Sequence, residues 1–63
     1  MCQMSIILET NGQEETLLKN AAKLIVTAEG IEISALFDEP KIIKNAAVHE
    51  IDFLDGTVKL RSK

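Results

Sequence analysis

Cys2 is the residue whose type and place could do chemistry. It is the one cysteine of 63 residues, and it stands beside the N-terminal amine. With Met1 retained, the Met1 amine, the deprotonated Cys2 amide and the Cys2 sulfur would close two fused five-membered chelate rings on one metal. With Met1 removed, the Cys2 amine and thiolate close one ring, and the Gln3 amide lies next in the chain. Either set puts nitrogen and sulfur donors in a plane, the arrangement that Ni(II) and Cu(II) favour, with thiolate softness adding affinity. A neighbouring ammonium, and then the metal, lowers the thiol pKa and generates the ligand. One chain still leaves a planar metal short of donors. In an isologous dimer a residue near the twofold axis meets its own copy, so two Cys2 would complete an S2N2 set. Against this stands the plain reading of a free terminal thiol.

Other candidates are few. His49 suits a surface or partly packed strand position, with metal ligation as the sharper reading. Two Cys2 and two His49 across a dimer could form a tetrahedral zinc or copper(I) site. A hydrolase triad can be listed from Cys2, His49 and any aspartate, but nothing brings them together, so no catalytic residue is assigned. The three glycines are isolated and make no phosphate loop. Met4 reads as a core or interface filler.

Length explains why a partner copy is attractive. A chain of about 60 residues buries only roughly 60% of the surface its unfolded form exposes. Small domains compensate with disulfides, a structural metal or association. A lone cysteine excludes an internal disulfide, and with a lone histidine it cannot build a closed zinc cage. Hydrophobic residues make up 46% and charged residues 27%, the composition of one globular domain over 1–63. The longest fully apolar runs are three residues, as in Ile6 to Leu8 and Leu24 to Val26, too short for a transmembrane span or signal-peptide core. A cytoplasmic protein is expected, where thiols stay reduced. Net charge −3 speaks against nucleic acid, whose binders work through Lys and Arg on phosphates.

The elements that must position these residues read as strands. Eight Ile, three Val and four Thr favour β-structure. Ser5 to Glu9 is a strand before an Asn11-Gly12 turn. Leu24, Val26 and Ala28 lead into a Glu29-Gly30 hairpin, and Ile31, Ile33 and Ala35 leave it. Leu36 to Pro40 is a loop, and Lys41 to Lys44 a short edge strand guarded by lysines. Glu50 to Phe53 and Thr57 to Arg61 form a hairpin around Asp55-Gly56, with Ile51, Phe53, Val58 and Leu60 predicted on one buried face. Residues 11–25 fit a strand and an amphipathic helix equally well. Asn11 could cap such a helix, and Leu17, Leu18, Ala21, Ala22, Leu24 and Ile25 fall at its spacing. The expected fold is mainly all-β, a small antiparallel meander or partly open SH3/Sm-like barrel of five to seven strands. Ile6 to Leu8 is apolar on both faces, which asks for a second cover such as a homodimer partner.

Met1-Cys2-Gln3-Met4-Ser5-Ile6-Ile7-Leu8, Ala35-Leu36-Phe37-Asp38-Glu39 and Glu50-Ile51-Asp52-Phe53 with Gly56-Thr57-Val58-Lys59-Leu60 together resemble the CooT family, over nearly the whole chain. These are small nickel-binding proteins associated with carbon monoxide dehydrogenase maturation. Family members often carry glycine where this chain has Asp38, and aspartate also tolerates a positive φ. The resemblance implies a homodimer of β-barrels that binds Ni(II) through Cys2 at the subunit interface. It implies a cytoplasmic, non-enzymatic role in delivering or storing nickel for the enzyme or its maturation factors. It also moves residues 11–25 towards strand, with a short helical turn near Leu18 to Ala21. An RNA-binding label attached to some members follows the barrel shape, which is a weak warrant.

Overall fold

The computed structural model describes residues 4–63, and every element in them is a strand. These are β1 (Met4–Thr10), β2 (Gln13–Val26), β3 (Gly30–Ala35), β4 (Lys41–Lys44), β5 (Ala46–Asp52) and β6 (Thr57–Ser62). They form one sheet in the order β4-β3-β2-β1-β6-β5. All ladders are antiparallel except β1–β6, which is parallel and pairs Ser5 with Thr57 and Leu8 with Leu60.

The turns follow their residues. Asn11 (φ 53°) and Gly12 (φ 81°) carry the positive dihedrals that a two-residue hairpin needs. In the next hairpin the Thr27 amide donates to the Gly30 carbonyl at 2.8 Å. The Thr27 hydroxyl donates to the same carbonyl at 2.9 Å and accepts from the Gly30 amide at 3.1 Å. Gly30 has a steric reason to be glycine: a Cβ there would run into the Ile43 carbonyl of β4.

Residues 11–25 are strand, and their helical appearance has a cause. The β2 register slips twice against β1, between Ala21 and Leu18 and between Leu18 and Thr16, and once against β3, between Ala21 and Lys23. In each case β2 supplies the extra residue of a bulge, which also bends the strand. Inward positions therefore fall at Leu18, Ala21 and Leu24, opposite Ile6, Met4 and Ile33. That spacing of three imitates a helix. The short helical turn implied near Leu18 to Ala21 is not there; a bulge occupies the place.

The two edge strands, β4 and β5, are separated in sequence only by Asn45, at φ 57°. A flat six-stranded sheet could not join its opposite edges through one residue, so the sheet curls into a half-barrel. Asn45 is pinned at the corner, its carbonyl accepting from the Lys63 amide at 2.8 Å. Inside lie Ile6, Ile31, Ile33 and Leu60, each at most 1% exposed, with Ala21, Ala46 and Val58 around them. Each large apolar side chain so buried contributes about 1.5–3 kcal/mol.

One part of the expected core is outside it. Val58 and Leu60 are buried, but Ile51 is 45% and Phe53 84% exposed. Ile51 does face inward, opposite Val58, yet β5 is an edge strand and its far end is uncovered. Phe53 has left the strand and sits in the β5–β6 turn. The second apolar faces are visible too: Ile25 and Ile42, in one outward row with Glu32, are 39% and 50% exposed.

Candidate functional site

Met1, Cys2 and Gln3 lie outside the described residues, so the site is built from what anchors them. Met4 opens β1 and pairs with Ala21, which pairs in turn with Ala35 at the end of β3. The next residue, Ser5, pairs with Thr57, which pairs with Asp52 at the end of β5. The Ser5 amide donates to the Gly56 carbonyl at 2.8 Å. The tripeptide carrying Cys2 is therefore joined to a fixed strand start. That start lies between two connections, the β3–β4 loop (36–40) and the β5–β6 turn (53–56).

Both connections are apolar at their tips. Phe37 is 93% exposed and Leu36 68%, while Phe53 is 84% and Leu54 100% exposed. These are the protein's only two aromatic residues, and neither is in the core. Carboxylates lie at both, Asp38 and Glu39 within the first connection and Asp55 within the second, with Asp52 at the end of β5 before it. The second is stiffened from within. Asp52 Oδ1 accepts from the Asp55 amide at 2.9 Å, Asp55 Oδ2 accepts from the Thr57 hydroxyl at 2.7 Å, and the Gly56 amide donates to the Asp52 carbonyl at 2.8 Å. The first connection borders a cleft of about 460 Å3, with Leu18, Ile33, Ala35 and Phe37 in its lining beside Asp38 and Glu39.

His49 lies elsewhere. The β5–β6 register steps from Val48–Leu60 to Glu50–Lys59, which makes His49 the extra residue of a bulge. Leu60 also pairs with Leu8 of β1. His49 is thus about 13 Å along the strands and about 10 Å across them from the start of β1. Its Nε2 is 3.0 Å from Arg61 Nη2. A guanidinium only donates, so Nε2 accepts and its lone pair is engaged. Arg61 also lies 3.6 Å from the Glu9 carboxylate. Beside it, Lys59 Nζ sits 3.4 Å from Glu14 and 3.9 Å from Glu50. The hydrogen bond and charge of Glu14, then the charge of Glu50, raise its pKa above the ordinary 10.5. This outer-face network occupies His49 and leaves the start of β1 without a histidine from the same chain.

Among the described residues no group of three or more His, Cys, Asp or Glu is placed to hold a metal ion. The Arg61–His49 contact was missed in the sequence because a bulge changes which neighbours meet. The exposed phenylalanines had one visible signal: Phe37 falls in a loop-forming stretch that ends at Pro40. No helix in the described residues is long and apolar enough to cross a membrane.

Comparison with known proteins completes the picture. The family model described as CO dehydrogenase accessory protein CooT matches residues 1–61. A crystal structure described as that of a "putative CooT" from Carboxydothermus hydrogenoformans superposes with a TM-score of 0.85 at 27% identity, covering 98% of this chain and 98% of that one. No curated protein matches.

Proposed function

The chain belongs to the CooT family of CO dehydrogenase accessory proteins, and on that footing we propose that it carries Ni(II) for that enzyme system. In this reading nickel is cargo rather than a resident cofactor. Cys2 supplies the thiolate, main-chain nitrogens of Met1, Cys2 or Gln3 complete a planar set, and a second copy of the chain contributes the other Cys2. The protein performs no catalysis and works in the cytoplasm, where the thiol stays reduced. Its partners are the carbon monoxide dehydrogenase or the factors that mature it. The observation that carries the reading is the match of the family over Cys2, with the tripeptide joined to a strand start that hydrogen bonds hold in place.

The test is a Ni(II) titration followed by thiolate-to-metal charge-transfer absorption, with native mass spectrometry for metal count and oligomeric state. The protein has no Trp or Tyr, so the near-ultraviolet is nearly clear for the signal. Cys2→Ser should lose the band and the tight binding. His49→Ala should keep both, because Arg61 already engages Nε2; a large loss there would move the assignment to a Cys2–His49 site. Tight nickel binding by Cys2→Ser would end the proposal.

A further inference from the structure

Asn11-Gly12 closes the first hairpin, and the nickel reading gives it no task beyond the turn. An asparagine that precedes glycine carries its own reagent. The amide nitrogen of the following residue can attack the side-chain carbonyl carbon, and a glycine nitrogen has no Cβ beside it to obstruct the approach. The chain has three asparagines, Asn11, Asn20 and Asn45. Asn20 and Asn45 precede Ala21 and Ala46, strand residues only 7% and 4% exposed. Asn11 precedes Gly12, where nothing lies within 4 Å of the place a Cβ would take. No hydrogen bond among the described residues engages the Gly12 amide or the Asn11 side chain.

Asp55-Gly56 is the comparison within the same molecule. Gly56 also has a positive φ, 72°. There the Gly56 amide donates to the Asp52 carbonyl at 2.8 Å, and Asp55 Oδ2 accepts from the Thr57 hydroxyl at 2.7 Å, so both reacting groups are held. The first hairpin holds neither. Its tip is also easy to open, because Thr10 to Thr16 are all exposed and few apolar contacts resist local unfolding. The tip lies about 23 Å along β1 from the strand start to which Cys2 is joined. Thr10, Gln13, Glu14 and Glu15 around it are all polar, and charged residues are depleted from the core of protein contacts.

We propose that Asn11 is a self-modification site, converting in the folded protein to aspartate and isoaspartate. The Gly12 amide gives its proton to solvent and its nitrogen bonds to Asn11 Cγ. The bond from Cγ to the side-chain nitrogen breaks, and ammonia leaves. Water then opens the cyclic imide. Cleavage at Cγ yields aspartate, and cleavage at the main-chain carbonyl carbon yields isoaspartate, the class of residue that isoaspartyl methyltransferases recognise. Either product adds a negative charge to a chain already at −3. Aspartate tolerates the left-handed region that Asn11 occupies at φ 53°. Isoaspartate adds a carbon to the main chain of a turn that has only two residues between the paired Thr10 and Gln13, so the end of the hairpin loses its register.

The experiment is a timed incubation of the folded full-length protein in mildly alkaline buffer. Peptide mapping by mass spectrometry, ammonia release and methyl transfer from S-adenosylmethionine by a protein isoaspartyl methyltransferase follow the reaction. Conversion should occur at residue 11, with Asn20, Asn45 and Asp55 unchanged. Gly12→Ala should slow it on the order of tenfold, because the added Cβ obstructs the nitrogen, even though that change strains the turn. Asn11→Asp should melt close to the wild type, and the isoaspartyl fraction, separated by ion exchange, should melt lower. Conversion of Asn20 or Asn45 as fast as Asn11 would overturn the proposal. So would a folded protein that stays intact while the urea-unfolded chain converts, or an isoaspartyl fraction that melts with Asn11→Asp. The readout does not involve nickel, so Cys2→Ser should convert at the wild-type rate whatever becomes of the nickel reading.

Discussion

Gly30→Ala tests the steric reasoning behind the curled sheet. Gly30 has φ +156°, and a Cβ there would meet the Ile43 carbonyl and come within 3.0 Å of Lys44 Cα. Both obstacles are backbone. Neither side can withdraw cheaply, because Gly30 pairs with Lys44 and is tied to Thr27 through the turn. A disfavoured backbone conformation costs about 1–3 kcal/mol, and forced overpacking about 1–3 kcal/mol more. We expect a loss of about 3–4 kcal/mol. Gly12→Ala is the internal control. Its φ is +81°, but nothing lies within 4 Å of the added Cβ, so only the left-handed penalty of about 1–2 kcal/mol applies. For a domain of this size each kcal/mol moves Tm by roughly 4–8 °C. Thermal unfolding by far-ultraviolet circular dichroism, at one fixed protein concentration, should show Gly12→Ala modestly lowered. Gly30→Ala should be shifted two to three times as far, or unfolded at room temperature. Equal shifts for the two variants would refute the claim that the approach of β4 demands glycine.

Three further outcomes follow from the same geometry. Leu60→Ala empties a fully buried site and should cost about 2–5 kcal/mol, whereas Phe53→Ala should change the urea midpoint very little; a comparable loss for both would place Phe53 in a core. Thr27→Val removes a hydroxyl that bonds both the amide and the carbonyl of Gly30, and should lower stability by about 1 kcal/mol, read by urea unfolding. For Lys59, the folded-state pKa is raised above 10.5 by Glu14 and then Glu50. Its contribution is therefore complete below the unfolded value and is lost as pH rises through the folded value. NMR titration should find the Lys59 ammonium deprotonating above 10.5, and Glu14→Gln should return it towards that value; no movement in Glu14→Gln would remove the pairing.

Asn11-Gly12, Glu29-Gly30 and Asp55-Gly56 mark three hairpins in the sequence alone, because positive φ and tight turns restrict residue type locally. Alternation along Ile31 to Ala35 and Thr57 to Leu60 identified the buried strands for the same reason: side-chain direction has period two. The membership of the family over residues 1–61 agrees with the resemblance that the residues flanking Cys2 carry.

What only the tertiary structure decided are the matters that depend on which strands become neighbours. The bulges of β2 exist relative to β1 and β3, so the stretch 11–25 could not be told from a helix by its own spacing. Ile51 and Phe53 have core-like residue types, but burial needs something opposite, and the far end of the β5 edge has nothing there. The parallel pairing of β1 with β6, between segments far apart in sequence, brings the β5–β6 turn beside the start of β1. No local pattern encodes that contact. It follows from closing the curled sheet through Asn45 so that Ile6, Ile33 and Leu60 share one interior, and the same closure leaves two phenylalanines outside.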